Sequence, residues 1–145
     1  MKKYLRLFLP LILGSLIGLL TSSDIDYNSL VKPPLSVPSI AFPIIWSILY
    51  LFIGITYYYF RKKSDNEDII KLYYVQLFVN LIWPILFFTF KLRFISILWI
   101  LLLDVLVALL IKKLEKNRNS FYLLIPYLLW TLFATYLNIG IYILN

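Results

Sequence analysis

The 145-residue chain contains no cysteine and no histidine. Without cysteine it can form neither a disulfide nor a thiolate nucleophile, and without either residue it lacks the usual zinc ligands and the usual imidazole base. Haem iron would be left with tyrosine or the single methionine as its protein ligand. We therefore expect no metal site and no resident cofactor, and much of the usual catalytic chemistry is excluded.

Charged residues are also scarce: they make up 14% of the chain, whereas 62% is hydrophobic, and the mean hydropathy is +0.87. Soluble domains are about 45–50% apolar, so the surplus apolar surface indicates lipid as its solvent. A bilayer core of about 30 Å is crossed by roughly 20 helical residues. Five segments satisfy this length, at about 4–22, 40–60, 72–90, 94–111 and 121–144. The sequence thus predicts an all-α integral membrane protein, a single domain built as a five-transmembrane-helix bundle.

The basic residues are distributed unevenly between the predicted loops. The N-terminus and the second and fourth connections, which five spans place on one side, carry 11 of the 14 lysines and arginines. The positive-inside rule therefore predicts a cytoplasmic N-terminus and an outside C-terminus. In the absence of an organelle-type presequence, a prokaryotic cytoplasmic membrane is the expected location. This topology explains the net charge of +7 without nucleic acid as a partner.

The first predicted span has a second interpretation. Residues 1–23 have a basic start, an apolar middle and small residues after it, which is also the pattern of a secretory signal peptide. Its removal would leave four spans and place both termini on one side. We favour a retained first span because the motifs described below agree with five helices.

The first connection, about residues 23–39, contains Pro33, Pro34 and Pro38. Proline fixes φ and disfavours helix in the residue before it, so this loop should be extended and stiff. Flexible linkers are instead rich in glycine and serine, and connections between packed helices usually have about 2–8 residues. We interpret the loop as a preorganised lid over the bundle, with a plain linker as the alternative.

Three of the spans carry aromatic and polar residues at helical spacing. Polar side chains are costly in lipid, so their positions are informative. Two interpretations remain open: a ligand pocket between the spans, or packing faces whose amides form hydrogen bonds between helices. The residues are Phe42, Trp46 and Tyr50 in the second span, Gln76, Asn80, Trp83 and Phe87 in the third, and Tyr127, Trp130 or Thr131, Ala134 and Asn138 in the fifth.

The first and fourth spans each have one unusual feature. Gly14 and Gly18 are small residues four apart, a spacing that lets another helix approach closely, and we interpret them as packing residues. Asp104 lies mid-way through the fourth span with no basic residue nearby. A lone carboxylate in lipid is costly, so we expect Asp104 to be protonated or hydrogen-bonded to an amide or hydroxyl. Structural pairing is favoured, and a proton relay is the alternative.

Three segments resemble one known family: KPPLSVPSIAFPIIWSILY, YVQLFVNLIWPILFF and IPYLLWTLFATYLNIGIYILN. They are similar to the K-P-x-W-x-P-P-x-x-x-F, Q-L-x-x-N-x-x-W-x-x-x-F-F and P-Y-L-x-W-x-x-F-A-x-x-L-N patterns of the translocator protein, or tryptophan-rich sensory protein, family. The second and third patterns are matched at every position. The first departs from the family, because Leu35 and Val37 stand where it has a tryptophan and a proline.

The resemblance implies a five-helix bundle whose pocket opens toward the first loop and binds tetrapyrroles such as protoporphyrin and haem. Some members also take sterols or synthetic isoquinoline-type ligands, and homodimers are usual. Some bacterial members have been credited with light-dependent porphyrin breakdown. Carried over by position, the resemblance implies Trp46 and Trp130 as pocket tryptophans, Asn80, Trp83, Ala134 and Asn138 as further lining, and Tyr27, Lys32 and Pro33 as lid residues.

The chemistry of these residues suits a porphyrin, which is a flat aromatic with two carboxylates. Tryptophan and tyrosine rings can stack on it, Lys32 can pair with a propionate, and amides can bond to pyrrole nitrogens or carboxylates. The candidate ligand-binding residues are Tyr27, Lys32, Pro33, Phe42, Trp46, Tyr50, Gln76, Asn80, Trp83, Phe87, Asp104, Trp130, Ala134 and Asn138.

We therefore favour a membrane receptor or transporter-like protein that binds porphyrin or haem, together with other hydrophobic ligands, and forms a homodimer in the lipid bilayer. One alternative is a light-dependent porphyrin-degrading enzyme that uses Trp46 and Trp130. Lacking histidine and cysteine, such an enzyme would have few acid–base and nucleophilic groups. A regulatory membrane interaction protein is the other alternative.

Overall fold

The computed structural model describes residues 2–21, 27–63 and 66–145. Five helices in these ranges are long and apolar enough to cross a membrane, and no strand occurs among them. The predicted all-α class and the five spans are confirmed. The predicted end of the first span at Ser22 lies outside the described residues. The helices are α1 (Lys2–Thr21), α2 (Ala41–Lys63), α3 (Glu67–Thr89), α4 (Arg93–Lys113) and α5 (Arg118–Leu144).

Several helices extend beyond the apolar segments because polar residues stabilise their ends. The Asn66 side chain accepts hydrogen bonds from the backbone N–H groups of Asp68 and Ile69, at 3.0 and 3.3 Å, and so caps the start of α3. Asn117 caps α5 in the same way. The basic residues that follow Phe60 continue α2 by one turn, where positive charge is favourable at a helix C-terminus. Hydropathy marks only the membrane-embedded part of each helix.

The last turn of α3, Ile85–Thr89, is a π-helix that follows Pro84. Proline has no N–H to donate within the helix, and single π turns commonly accommodate such a disturbance. The wider turn closes with a 3.0 Å bond from the Phe90 N–H to the Ile85 carbonyl, and it buries both Phe87 and Phe88. Lys91, at φ 56°, then reverses the chain into α4.

The helices form a ring in the order α1, α2, α5, α4, α3, and α3 closes the ring against α1. Consecutive helices run in opposite directions, so the first connection and the C-terminal end of α5 must lie at the same end of the bundle. The Asn145 side chain confirms this, because it accepts a bond from the Val31 N–H at 3.1 Å and donates to the Val31 carbonyl at 2.8 Å. We call this end the lid end and the opposite end the basic end.

Helices α1 and α2 approach each other at Gly54. A Cβ atom added to Gly54 would collide with the backbone carbonyl of Leu7, which cannot move without displacing α1. Close backbone approach at small residues is the usual basis of helix packing in lipid. Gly18, in contrast, has open space where a Cβ would lie, so only one of these two glycines is required by packing.

We predict that Gly54→Ala destabilises the bundle by about 1–3 kcal/mol, the usual range for overpacking. Gly18→Ala should leave stability unchanged or raise it by up to about 1 kcal/mol, because alanine favours helix more than glycine does. The measurement is unfolding of both variants in mixed micelles, followed by circular dichroism. Equal stability of the two variants would contradict a close contact between α1 and α2 at Gly54.

Candidate ligand-binding site

A chain of side-chain hydrogen bonds crosses the centre of the bundle and joins α2, α3 and α5. The Tyr50 hydroxyl donates to Asn80 Oδ1 at 2.7 Å, and Asn80 Nδ2 donates to the Tyr127 hydroxyl at 2.7 Å. Tyr127 in turn donates to Gln76 Oε1 at 2.8 Å. All four side chains are buried. We call them the central network. Each of the four side chains has a hydrogen-bond partner within the network. Gln76 and Asn80 therefore form hydrogen bonds between helices.

A second polar bridge lies nearer the lid end. The Trp83 indole N–H donates to Asn138 Oδ1 at 3.0 Å, and Asn138 Nδ2 donates to the Arg93 carbonyl at 3.0 Å. This bridge fixes the plane of the Trp83 ring, which stacks on Phe87 with a centroid separation of 5.0 Å. The orientation of one aromatic wall is therefore set by an amide on α5.

A cavity of about 520 Å³ lies between α1, α2 and α3. We call it the α1–α3 cavity. Its volume falls in the range of small-molecule sites, which is about 300–1,000 Å³. Four of the predicted site residues line it: Phe42, Trp46, Tyr50 and Trp83. The rest of the lining comes largely from α1 and the start of α2, and is Gly14, Ser15, Ile17, Gly18, Leu19, Thr21, Ser39, Pro43, Ser47, Pro84 and Phe88.

A second, narrow cavity of only about 10 Å³ lies beneath the first loop. Six of its lining residues are predicted site residues: Tyr27, Phe42, Trp83, Phe87, Ala134 and Asn138. Three aromatic side chains line both spaces and divide them. These are Phe42, Trp83 and Phe88.

The two tryptophans predicted to share a pocket lie edge to face, with ring centroids 6.3 Å apart. Trp46 also stacks on Tyr50 at 5.5 Å. Trp130 instead lines a groove of about 390 Å³ between α2 and α5. Its buried indole N–H finds no hydrogen-bond partner among the residues that the structure describes. Trp46 therefore separates the α1–α3 cavity from the position of Trp130.

The first loop is held closely to the bundle. The Tyr27 hydroxyl donates to the Val37 carbonyl at 2.6 Å and the Tyr136 hydroxyl donates to the Pro34 carbonyl. Pro33 packs directly on Gly140, where any Cβ would collide with the proline ring. Burial raises the pKa of the Tyr27 phenol, so it remains a hydrogen-bond donor at neutral pH. We call residues 27–39 the lid.

Lys32 takes part in the internal structure of the lid. Its ammonium donates to the carbonyls of Tyr27 and Leu30, both at 3.1 Å, and lies 4.8 Å from the centre of the Tyr27 ring. Leu35 is 85% exposed and has a φ of 68°, an uncommon conformation for a residue other than glycine. The family resemblance places a tryptophan at this position, and here the side chain points away from the bundle.

Asp104 lies between α4 and α5, and is not among the residues that line the cavities described above. Its Oδ2 is 2.6 Å from the Thr135 hydroxyl, which is also 2.8 Å from the Thr131 carbonyl. A hydroxyl carries one hydrogen. When Thr135 donates to Thr131, the bond to Asp104 therefore requires a proton on the carboxyl group. Asp104 is thus paired with a hydroxyl, as the sequence predicts.

The sequence matches a known protein family along most of its length. The model of the TspO/MBR family matches residues 6–144, nearly the whole chain. The chain belongs to the TspO/MBR family. It is 36% identical over 121 residues to the tryptophan-rich protein TspO of Archaeoglobus fulgidus, covering 82% of this chain and 79% of that protein.

Two further relatives match this TspO/MBR family member at slightly lower identity. The tryptophan-rich protein TspO of Chlorobaculum tepidum is 32% identical over 125 residues, which is 82% of this chain and 78% of the relative. The translocator protein homolog of Schizosaccharomyces pombe is 31% identical over 147 residues, which is 94% of this chain and 87% of the relative. The family and the integral membrane class are therefore established for this chain, and a general sensory or transport role fits the names of its relatives.

Sequence reasoning missed the contribution of α1 to the site. The spacing predicts Gly18 as a packing residue, yet it faces the α1–α3 cavity, as Ser15 and Thr21 do. Gly14 also lines the cavity, but it is the packing member of the pair, because a Cβ atom added there would collide with the Tyr50 ring. The available signal was the run of small residues on α1, but spacing alone does not say which of them faces a helix and which faces a cavity.

We predict that Gly140→Ala weakens docking of the lid, because the new methyl group would displace Pro33. A cost of about 1 kcal/mol would raise the population of the open lid roughly fivefold. Hydrogen–deuterium exchange at residues 27–39 measures this opening. Ile143→Ala, on an exposed side chain of the same helix end, is the control and should leave exchange unchanged. Unaltered exchange in Gly140→Ala would show that the Pro33 contact does not hold the lid.

Proposed function

We propose that this protein binds tetrapyrroles, such as protoporphyrin IX or haem, in the α1–α3 cavity, and that binding serves a sensory or transport role. The observation that carries the proposal is the cavity itself, about 520 Å³ in volume with walls that include Trp46, Trp83 and Tyr50. A flat conjugated ligand gains from contact with such rings. The translocator protein homolog of Schizosaccharomyces pombe has a name that fits transport. A tryptophan-rich sensory protein of Cereibacter sphaeroides, 26% identical over 126 residues, has a name that fits sensing.

Polar groups around the cavity support an amphipathic ligand. Ser15 and Ser39 line it and offer hydroxyls to ligand carboxylates. Lys32 lies in the lid and would have to exchange its two carbonyl bonds for a propionate. The hydrogen bonds and packing that hold the lid also favour binding, because a loop that is already ordered loses little conformational entropy when a ligand binds.

The narrow cavity beneath the lid supports a route between the lid end and the α1–α3 cavity. Phe42, Trp83 and Phe88 line both spaces, and Trp83 is held in place by Asn138. Phe42 is packed edge to face on Tyr27 of the lid, at 4.9 Å between ring centroids. Movement of the lid would therefore free Phe42 and join the two cavities into one larger site.

The test is a titration of the detergent-purified protein with protoporphyrin IX in the dark, followed by tryptophan fluorescence. Saturable quenching is expected. Trp46→Phe should weaken binding by roughly three- to tenfold, because it removes part of the stacking surface. Gly18→Leu should weaken it by about tenfold or more, since the added side chain enters the cavity without meeting any protein atom at its Cβ.

Two further tryptophan variants complete this titration. Trp99→Phe is the matched control: Trp99 lies on α4, where its indole donates to the Val79 carbonyl at 2.7 Å, and binding should be unchanged. Trp130→Phe should have a smaller effect than Trp46→Phe, because Trp130 lines the other groove. Linear quenching that is alike in all variants would mean partitioning into micelles and would contradict the proposal. Porphyrin loss under light and oxygen, reduced by Trp46→Phe or Trp130→Phe, would instead favour the degrading enzyme.

We also propose that the basic end faces the cytoplasm and the lid end faces outward, in a prokaryotic cytoplasmic membrane. Because the chain has no cysteine, single cysteines report topology cleanly. Leu35→Cys in the exposed lid should react with a membrane-impermeant maleimide on intact cells, whereas Lys116→Cys at the basic end should react only after lysis. The reverse labelling pattern would mean that the lid end faces the cytoplasm and would contradict the proposed topology. Cross-linking of the same variants in membranes tests the proposed homodimer.

A further inference from the structure

A cavity at the basic end belongs to no part of the site described above. It lies between the start of α1 and the end of α2, has a volume of about 330 Å³, and is lined by Arg6, Tyr57, Tyr58, Arg61 and Lys62. Three of these five side chains are cations and none is acidic. Because α1 and α2 are antiparallel, the cavity lies at the opposite end of both helices from the lid.

Aromatic rings hold two of the cations in defined positions. Lys62 Nζ lies 4.5 Å from the centre of the Tyr58 ring, and the Arg61 guanidinium lies 5.7 Å from that of Tyr57. Arg61 also donates to the Tyr57 hydroxyl at 2.8 Å. The tyrosine rings thus hold Lys62 and Arg61 in defined positions at the cavity. Arg6 adds a third positive charge from α1.

Concentrated positive charge with fixed directions suits a phosphate group. Guanidinium groups bind phosphate oxygens through paired hydrogen bonds, and an ammonium adds a compact point charge. The position of the cavity, at helix ends that border the membrane, is also that of basic sites for anionic lipid headgroups between transmembrane helices. We infer that this cavity binds a phosphate-bearing anion, for which the headgroup of an anionic lipid is the most abundant source at that depth.

The inference does not depend on the proposed tetrapyrrole function, because no residue is shared between this cavity and the α1–α3 cavity. It gives the unequal charge distribution a specific role. General attraction to an anionic membrane would depend on all basic residues at the basic end alike. A specific site requires that removing Arg6 and Lys62 weakens lipid binding more than removing other cations at that end does.

The test counts lipids bound to the intact protein by native mass spectrometry in a non-ionic detergent. Phosphatidylglycerol is titrated and compared with phosphatidylcholine. The variant is Arg6→Gln/Lys62→Gln, which leaves the Arg61–Tyr57 bond intact. The matched control is Lys113→Gln/Lys116→Gln, which removes the same charge from exposed positions at the same end. Circular dichroism and the unfolding midpoint verify that both variants fold.

We expect the wild type and the control to retain phosphatidylglycerol in preference to phosphatidylcholine, and the cavity variant to bind it roughly tenfold or more weakly. A second arm adds inorganic phosphate against chloride at equal ionic strength. Insensitivity to phosphate identifies the lipid as the source. If phosphate displaces the lipid and chloride does not, and if this displacement is lost in Arg6→Gln/Lys62→Gln, the ligand is a soluble phosphate. Equal loss in both double variants, or no loss in either, overturns the inference.

Discussion

The rest of the structure depends on satisfying polar groups where no water is available. In the bilayer core an unpaired amide or hydroxyl is costly, and the chain places several there. Tyr50, Asn80, Tyr127 and Gln76 pair with one another across three helices. This requirement fixes the rotation of α2, α3 and α5 about their axes, because each helix must present its polar residue inward at the same depth.

Once these rotations are fixed, the aromatic walls follow. Residues one turn from the central network on α2 and α3 are Trp46 and Trp83, and both line the α1–α3 cavity. Helix α1 contributes no hydrogen bond to the network and contacts α2 through Gly54 and Gly14. The cavity therefore forms where α1, which lies outside the network, meets the aromatic faces of α2 and α3.

The two ends of the bundle have different chemistry. At the lid end the loop is stiffened by proline and attached to α5 through Asn145, Tyr136 and Gly140. At the basic end, arginine and lysine side chains lie against tyrosine rings between α1 and α2. A pocket for an aromatic ligand and a cluster of fixed cations can coexist because the membrane-spanning length of the helices separates them.

The sequence by itself determined the fold class, because hydropathy and charge reflect the same lipid solvent that the helices must satisfy. It also determined the candidate aromatic residues, since helical spacing places Phe42, Trp46 and Tyr50 on one face. It did not determine which space each aromatic residue lines. Trp46 lines the α1–α3 cavity and Trp130 lines the groove between α2 and α5, while Asn80 belongs to the central network.

The sequence does not determine this division because helical spacing specifies only the direction of a side chain from its own helix axis, whereas a cavity depends on the distances between three helices. Whether Gly14 or Gly18 contacts a neighbour is decided by where the Tyr50 ring lies, and that ring is oriented by Asn80, thirty residues away in the chain. Likewise, Arg6 and Lys62 are separated by most of two helices and meet only because α1 and α2 pack antiparallel. Only the tertiary structure decided these contacts.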